Sequence, residues 1–409
     1  MYTKTAKVVI GANYGDEGKG LATDVFVSLA GSRDAAVIRF NGGAQAGHTV
    51  TTPDGKRHVF SHFGAGTMAG AATFLTEYFV VHPGMFAVEK AALAKHGFDL
   101  EVFADPDAQI TTPYDVMVNR WAEETRGAAR HGSVGIGFGE TIERGLGGFR
   151  IAMRDVGSDR YLIELLTDLR ERWLPLRLAK LGIEYTEERQ RLAADEVILN
   201  GYLDDIAALR EGVTIAGIDV VLRRPNLVFE GAQGLLLDQD RGHIFPYLTR
   251  SNTGLKNVLA VAKDAGIERL DAVYMTRSYL TRHGAGPLRN QVETLDFADV
   301  VDLTNCHNPW QGTMRFAPLD IAVLRAAIEA DLGDVDGTGI EVTPSLGITC
   351  LDQLREQGVY LIGDTRHVVA RDAVAHWIHR HVGLPVTLTS FGPTRDHVLA
   401  WERRKLAAA

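Results

Sequence analysis

Asp16, Glu17 and Lys19 share one short glycine-rich run, Val8-Val9-Ile10-Gly11-Ala12-Asn13-Tyr14-Gly15-Asp16-Glu17-Gly18-Lys19-Gly20. A lysine among glycines is phosphate chemistry: glycines let backbone N–H groups approach an anion, and the ammonium supplies counter-charge. The two carboxylates are the unusual part. Beside a phosphate they repel it unless a metal intervenes or one of them moves a proton. A second loop, Asn41-Gly42-Gly43-Ala44-Gln45-Ala46-Gly47-His48-Thr49-Val50, carries one histidine. His48 is a candidate for stabilising negative charge or transferring a proton. The alternatives are a tight surface turn and a structural histidine.

Elements must hold these loops. The β-branched run before Gly11 reads as a buried strand, and the stretch after Gly18 as a helix, so an anion would meet a helix N-terminus. Ala35-Ala36-Val37-Ile38-Arg39-Phe40 reads as a second buried strand. Two strands that each end in a glycine-rich loop suit a parallel sheet, where ligands bind beyond the carboxyl ends. The generic G-x-x-x-x-G-K-[ST] phosphate loop fits poorly. Asn13 stands at its first glycine and Gly20 at its metal-binding hydroxyl.

At these residues the chain resembles the adenylosuccinate synthetase family, whose loops read W-G-D-E-G-K-G and G-G-x-N-A-G-H-T. A third match is Phe229-Glu230-Gly231-Ala232-Gln233-Gly234-Leu235-Leu236-Leu237-Asp238, continuing through Phe245-Pro246-Tyr247 to Ser251-Asn252-Thr253. Fainter matches are Gly135-Ile136-Gly137, Gly284-Ala285-Gly286-Pro287 and Gly392-Pro393-Thr394-Arg395. The resemblance implies a ligase that joins aspartate to the six-position of inosine monophosphate, using GTP and Mg2+. It implies Asp16 as the base for the purine N1 proton and, with the Gly47 carbonyl, as magnesium ligand. His48 would stabilise charge on the six-position oxygen, Lys19 would bridge phosphates and oxyanion, and Gln233 would hold the purine. Further nucleotide or phosphate contacts are implied for Gly15, Glu17, Gly18 and Gly20, and for Asn41, Gln45 and Thr49. The same holds for Ser133, Thr249, Arg315, Gly392 and Pro393. Arg144 matches the arginine that reaches a neighbouring subunit's nucleotide phosphate, which implies a homodimer.

The departures are as informative. The family's T-T-G-R-G-I-G stands as His131-Gly132-Ser133-Val134-Gly135-Ile136-Gly137, with Ser133 as the only replacement hydroxyl. The family's arginine-rich second-substrate loop stands as Asn308-Pro309-Trp310-Gln311-Gly312-Thr313-Met314-Arg315, with one arginine. A bidentate arginine clamp is not matched by threonine and methionine. The guanine-reading T-K-L-D is absent from Ser345-Leu346-Gly347-Ile348-Thr349-Cys350-Leu351-Asp352, so ATP joins GTP as an expected donor. The expectation is a divergent member acting on an IMP-like purine nucleotide with aspartate. Its alternatives are a paralogue using a guanine (deoxy)nucleotide, an unusual nucleoside nucleotide or another amine donor, a kinase-like enzyme, and a relative that only binds. A phage branch of the family makes a 2-amino analogue and commonly replaces the catalytic aspartate, whereas Asp16 is retained here.

The chain has 409 residues, 45% hydrophobic and 23% charged, with a net charge of −9. That balance argues against a nucleic-acid surface, which needs a basic patch. Two cysteines, Cys306 and Cys350, give no disulfide framework or zinc site. With no apolar leader and no stretch near the ~20 residues of a membrane span, a cytoplasmic setting is expected. Short apolar runs predict strands at 7–11, 35–40, 226–230, 270–276, 359–362 and 385–390. Helices are expected at 18–30, 84–96, 114–126, 158–181, 187–211, 253–265, 317–330 and 370–381. This alternation predicts an α/β fold with a large, mainly parallel central sheet covered by helices and a P-loop-like phosphate site. No linker is visible, so residues 1–409 are read as a single domain with a helical insertion around 158–211. Arg120, Arg126 and Arg130 read as a solvated helix face, and Trp310 equally as a pocket cap or a packing residue.

Overall fold

The computed structural model describes residues 4–300 and 312–400. Cys306, Trp310 and the 308–311 part of the second-substrate stretch lie outside the described residues.

Ten strands form one twisted sheet. In spatial order they are Val398–Ala400, Val386–Ser390, Glu341–Thr349, Arg269–Arg277, Thr5–Gly11, Asn226–Glu230, Ala35–Arg39, Ala72–Leu75, Val102–Ala104 and Thr214–Ile215. Every pairing is parallel except that of the edge strand Val398–Ala400. Val8, Val9 and Ile10 are all fully buried, as expected for a strand covered on both faces. The expected α/β architecture is therefore the one observed.

The order of strands decides the site. From Thr5–Gly11 the chain runs through helix Lys19–Ala30 to Ala35–Arg39, and strand Asn226–Glu230 inserts between the two. Parallel register brings Val9 opposite Glu230, and Glu230 opposite Arg39. On the other side Gly11 pairs with Met275, and Arg277 with Thr349. Five carboxyl ends thus open on one edge of the sheet, each followed by a loop that carries candidate site residues.

Most expected elements are found, with informative differences. The 359–362 run, observed as Gln357–Ile362, belongs to a separate three-stranded sheet with Leu319–Asp320 and Thr365–Ala370. Helix 317–330 begins later, at Ile321, because Arg315–Ala317 and Leu319–Asp320 are strands. The 158–181 helix is interrupted by a π-turn at Leu169–Trp173, just before Pro175. The expected 187–211 helix divides at Ala194, where Asp195 caps a fresh helix, Glu196–Gly212. Strands Ala72–Leu75, Val102–Ala104 and Glu341–Thr349 were not anticipated, nor was helix Phe138–Leu146.

Helix Pro113–Arg126 needs no tertiary explanation for its start. Thr112 and Asp115 form a capping box and Pro113 takes the first turn. Its buried face joins the helices of 158–212 in a second core around Tyr114, Trp121, Trp173 and Tyr202. The main core lies under the sheet, around Val8, Ile38, Phe229 and Tyr274.

Candidate active site

Gly18 caps helix Lys19–Ala30 with φ of 83°, a conformation that glycine takes at little cost. No side chain of the described residues caps this end, so its first N–H groups face the loop. Glu17 holds the loop's shape. It is 2% exposed, and its Oε1 accepts from Asn13 N (3.0 Å) and Gly15 N (2.7 Å). Its Oε2 accepts from Lys19 Nζ at 2.9 Å. Glu17, expected as a phosphate contact, spends its carboxylate on the loop backbone and on Lys19.

Asp16 is the loop's outward carboxylate, with a quarter of its side chain exposed (25%). Arg277 Nε donates to its carbonyl oxygen, and its Oδ2 lies 2.6 Å from His283 Nε2. Burial would raise its pKa, but the His283 hydrogen bond and charge, with Arg277 and Lys19, hold it at about 2. Asp16 is therefore ionised at neutral pH.

Gly20 packs onto the second loop: a Cβ there would lie 3.0 Å from His48 Cβ and 3.1 Å from the Thr49 carbonyl. His48 is 6% exposed and starts strand His48–Thr51. Its Nδ1 lies 3.0 Å from Glu230 Oε1 at the end of the neighbouring strand. Burial lowers the His48 pKa, against the pull of Glu230. Burial also acts on Glu230, but His48 and Arg39 outweigh it and hold that carboxyl below its ordinary value. This arrangement turns Nδ1 inward and leaves Nε2 as the atom for a reacting group. Gly47, just before His48, is exposed.

The Gln233 loop closes over both. Gly15 would meet Gln233 Cα at 3.6 Å if it carried a Cβ, and one on Gly234 would fall 2.4 Å from the Asn13 carbonyl. Asn41 ties the loops together: its Nδ2 donates to the Ala232 carbonyl (3.0 Å) and its Oδ1 accepts from Ala232 N (2.7 Å). Asn41, expected as a nucleotide contact, is thus occupied as a clamp.

Beside these loops opens a cleft of about 450 Å³, lined among others by Gln45, Ser133, Gln233, Thr249 and His283. Both amide atoms of Gln45, Gln233 Oε1 and Thr249 Oγ1 are buried there without a hydrogen-bond partner among the described residues. Buried polar groups are nearly always paired, so three such side chains facing one cleft mark a place for a polar ligand. Ser133 also lines it, though its hydroxyl bonds Asn119 Nδ2 (2.7 Å) and Gly135 N (3.2 Å). Arg126, read from sequence as solvated, lines the cleft too, and Arg120 Nε donates to the Gly135 carbonyl at 3.0 Å.

Four expected residues sit elsewhere. Arg144 is fully buried, its Nε 2.9 Å from Asp115 Oδ1 and its remaining nitrogens on the Phe149 (2.6 Å) and Ile110 (2.7 Å) carbonyls. Within the chain all three nitrogens of this guanidinium are engaged, in contrast to the expected reach toward a neighbouring subunit. Arg315 donates to the Gly284 carbonyl (2.7 Å) and Gln291 (2.9 Å), supporting a cleft loop from behind. Gly392 and Pro393 lie beside Thr394 and Arg395, which meet Thr51 and Asp24, away from the cleft. Thr349, in the expected base-reading stretch, is 3% exposed and donates to the Glu17 carbonyl at 3.1 Å. Asp352 is exposed.

Sequence reading missed His283, Arg277 and the partnership of Glu230 with His48. Glu230 and the residues after His283 lay inside quoted motifs, but pairing across the sheet carries no local signal.

The family model described as adenylosuccinate synthetase matches residues 8–331. The chain belongs to the adenylosuccinate synthetase family. The adenylosuccinate synthetase of Rhodococcus opacus (strain B4) is 32% identical over 295 residues, 70% of this chain and 65% of the relative. That of Mycobacterium avium (strain 104) is 31% identical over 304 residues, with the same coverage. The matched stretch thus spans a little under two thirds of these relatives' length. Two solved structures share the fold. Fully ligated adenylosuccinate synthetase from Plasmodium falciparum superposes with a TM-score of 0.73 at 18% identity, covering 97% of this chain and 99% of that one. Succinoaminodeoxyadenylate synthetase of cyanophage S-2L, bound to dGMP and to dATP as an energy donor, gives 0.61 at 15% identity, covering 100% and 99%. The family match ends before the Ser345-to-Asp352 stretch that departs from the family pattern. Among the described residues no helix is long and apolar enough to cross a membrane.

Proposed function

We propose that this chain is a nucleoside-triphosphate-dependent carbon–nitrogen ligase. It phosphorylates the six-position oxygen of an IMP-like purine nucleotide and displaces the phosphate with the amine of aspartate. The observation that carries the reading is the convergence of unpaired Gln45, Gln233 and Thr249 on one cleft, next to ionised Asp16.

The chemistry follows from the purine. Its six-position oxygen is a poor leaving group, so it must first become a phosphate ester. Asp16 accepts the N1 proton and charge collects on the oxygen. The oxygen forms a bond to the γ-phosphorus as the bond to the leaving diphosphate breaks. The amine then attacks C6, and the C–O bond breaks to release phosphate. A carboxylate held at about 2 is a weak base. Transfer to it is favourable only where the developing oxyanion is met, by Lys19 and the Nε2 side of His48 in this proposal. Gln233 and Gln45 would hold the base, and Thr249 and Ser133 the nucleotide's phosphate or sugar.

Magnesium takes one or two carboxylates and completes its shell with substrate phosphates and water. Asp16 fits that pattern, with the exposed Gly47 carbonyl as second protein ligand. Bound there, the ion would neutralise phosphate charge. We place the enzyme in the cytoplasm as a homodimer.

A second reading concerns the donor and base. The stretch Thr349-Cys350-Leu351-Asp352 keeps three of the four T-K-L-D residues, with Cys350 in place of the lysine and the Thr349 hydroxyl spent on the Glu17 carbonyl. With the lysine of that motif replaced by Cys350, ATP stands beside GTP as a proposed donor. A guanine deoxynucleotide acceptor, as bound by the cyanophage enzyme, belongs in the test.

The test is phosphate release with Mg2+ over IMP, GMP and dGMP, each with ATP, dATP or GTP, with and without aspartate. Aspartate-dependent release is expected, and Asp16→Asn should lower it by roughly 100- to 10,000-fold. Near-normal turnover in that variant refutes the mechanism. A large GTP preference that Asp352→Ala abolishes refutes the donor assignment. Nucleoside diphosphate formed together with a phosphorylated nucleotide, without free phosphate and without any amine, favours a kinase-like enzyme.

A further inference from the structure

Asp16 occupies a conformation that side chains rarely adopt, with φ of +62°. Such a residue persists only where its surroundings over-determine it. Two groups do so. Arg277, at the carboxyl end of a central strand, holds the backbone carbonyl. His283 holds the carboxylate, 2.6 Å from Nε2 to Oδ2.

His283 is itself anchored on both sides. Its neighbour Arg282 is 1% exposed and donates to the Pro287 (2.6 Å) and Tyr247 (2.9 Å) carbonyls. Its other neighbour, Gly284, accepts from Arg315 Nη2 at 2.7 Å. The imidazole is thus presented by a pinned backbone. It also lines the cleft, together with Gln45 and Gln233. It therefore touches the carboxylate on one side and the purine's proposed space on the other.

We propose that His283 is a positioning residue: it fixes the Asp16 carboxylate toward the base-binding end of the cleft and couples its placement to the bound purine. The proposal rests on the reading of Asp16 as base. A misplacement of about 1 Å at a reacting group can cost on the order of 100-fold in rate.

The test uses His283→Ala and His283→Gln in the wild-type and Asp16→Asn backgrounds. Alanine should lower kcat by about 10- to 100-fold with KM changed far less. Glutamine, whose amide N–H can replace the Nε2 donor, should restore most of the loss. In the Asp16→Asn background the alanine change should add less than about threefold, because the two residues act as one unit. Equal losses for alanine and glutamine, or a full second loss in Asp16→Asn, overturn the proposal. Ligand-free crystal structures of the wild type and His283→Ala provide a second arm. The Asp16 carboxylate should turn away while the 11–20 backbone stays; a carboxylate left in place overturns the proposal. If alanine does not fold, His283→Asn, too short to reach Oδ2 from the same backbone, replaces it. If no nucleotide combination supports turnover, the functional reading falls, and the crystal comparison still decides the role of His283.

Discussion

Replacing Glu17 with glutamine isolates one buried ion pair. The side chain keeps its shape, so its carbonyl oxygen can still accept from Asn13 N and Gly15 N. Its amide nitrogen then faces Lys19 Nζ, donor against donor. Glu17 and Lys19 are 2% and 3% exposed, so water cannot compensate. Removing one partner of such a pair costs about 3–5 kcal/mol. The two retained backbone contacts place glutamine at the low end, near about 3 kcal/mol. Glu17→Ala also strips those contacts, adding about 1.5–3 kcal/mol for each hydrogen bond to a charged group. Urea unfolding followed by far-UV circular dichroism, with and without saturating ATP, reads both variants. A triphosphate gives Lys19 a new counter-charge. ATP should therefore recover much of the glutamine deficit and little of the alanine deficit. A glutamine variant within about 1 kcal/mol of wild type without ligand would refute the reasoning, since that is the size of an ordinary neutral hydrogen bond.

Arg144→Ala should behave as a core defect, losing about 3–5 kcal/mol in the same unfolding assay because Asp115 is left buried and unpaired. Mixed and exchanged with Asp16→Asn chains, it should restore no activity; recovery in confirmed heterodimers would return Arg144 to a subunit contact. The His82 pKa is lowered to about 4 by burial and by nearby His62. The unfolded chain therefore binds that proton first. The contribution of His82 is complete above pH 6.5 and is lost as pH falls toward 4, up to about 3 kcal/mol at ~1.4 kcal/mol per unit. His82→Asn, which can still cap Met85 N, should flatten stability against pH across that window, and an unchanged slope would count against the assignment.

The sequence by itself determined the chemistry-bearing loops and the class of fold. A lysine among glycines after a β-branched run is local information, and so is a run such as Ala35-Ala36-Val37-Ile38, buried on both faces in a parallel sheet. The three-residue strand Val102–Ala104 was illegible because so short a run has no periodicity. The break at Leu169–Trp173 was hidden inside a continuous helical pattern. Tertiary structure decided what the site residues do. Glu17 turns inward because two backbone N–H groups and Lys19 close around it. Asn41 becomes a clamp because strand Asn226–Glu230 inserts between two strands that precede it in the chain. Arg144 was expected to reach a neighbouring subunit, yet Asp115, 29 residues away, and two carbonyls enclose it. His283 meets Asp16 across 267 residues of chain. Side-chain type fixes what a group can do, while strand order and register fix which partner it meets, and partners so far apart in sequence leave no pattern to read.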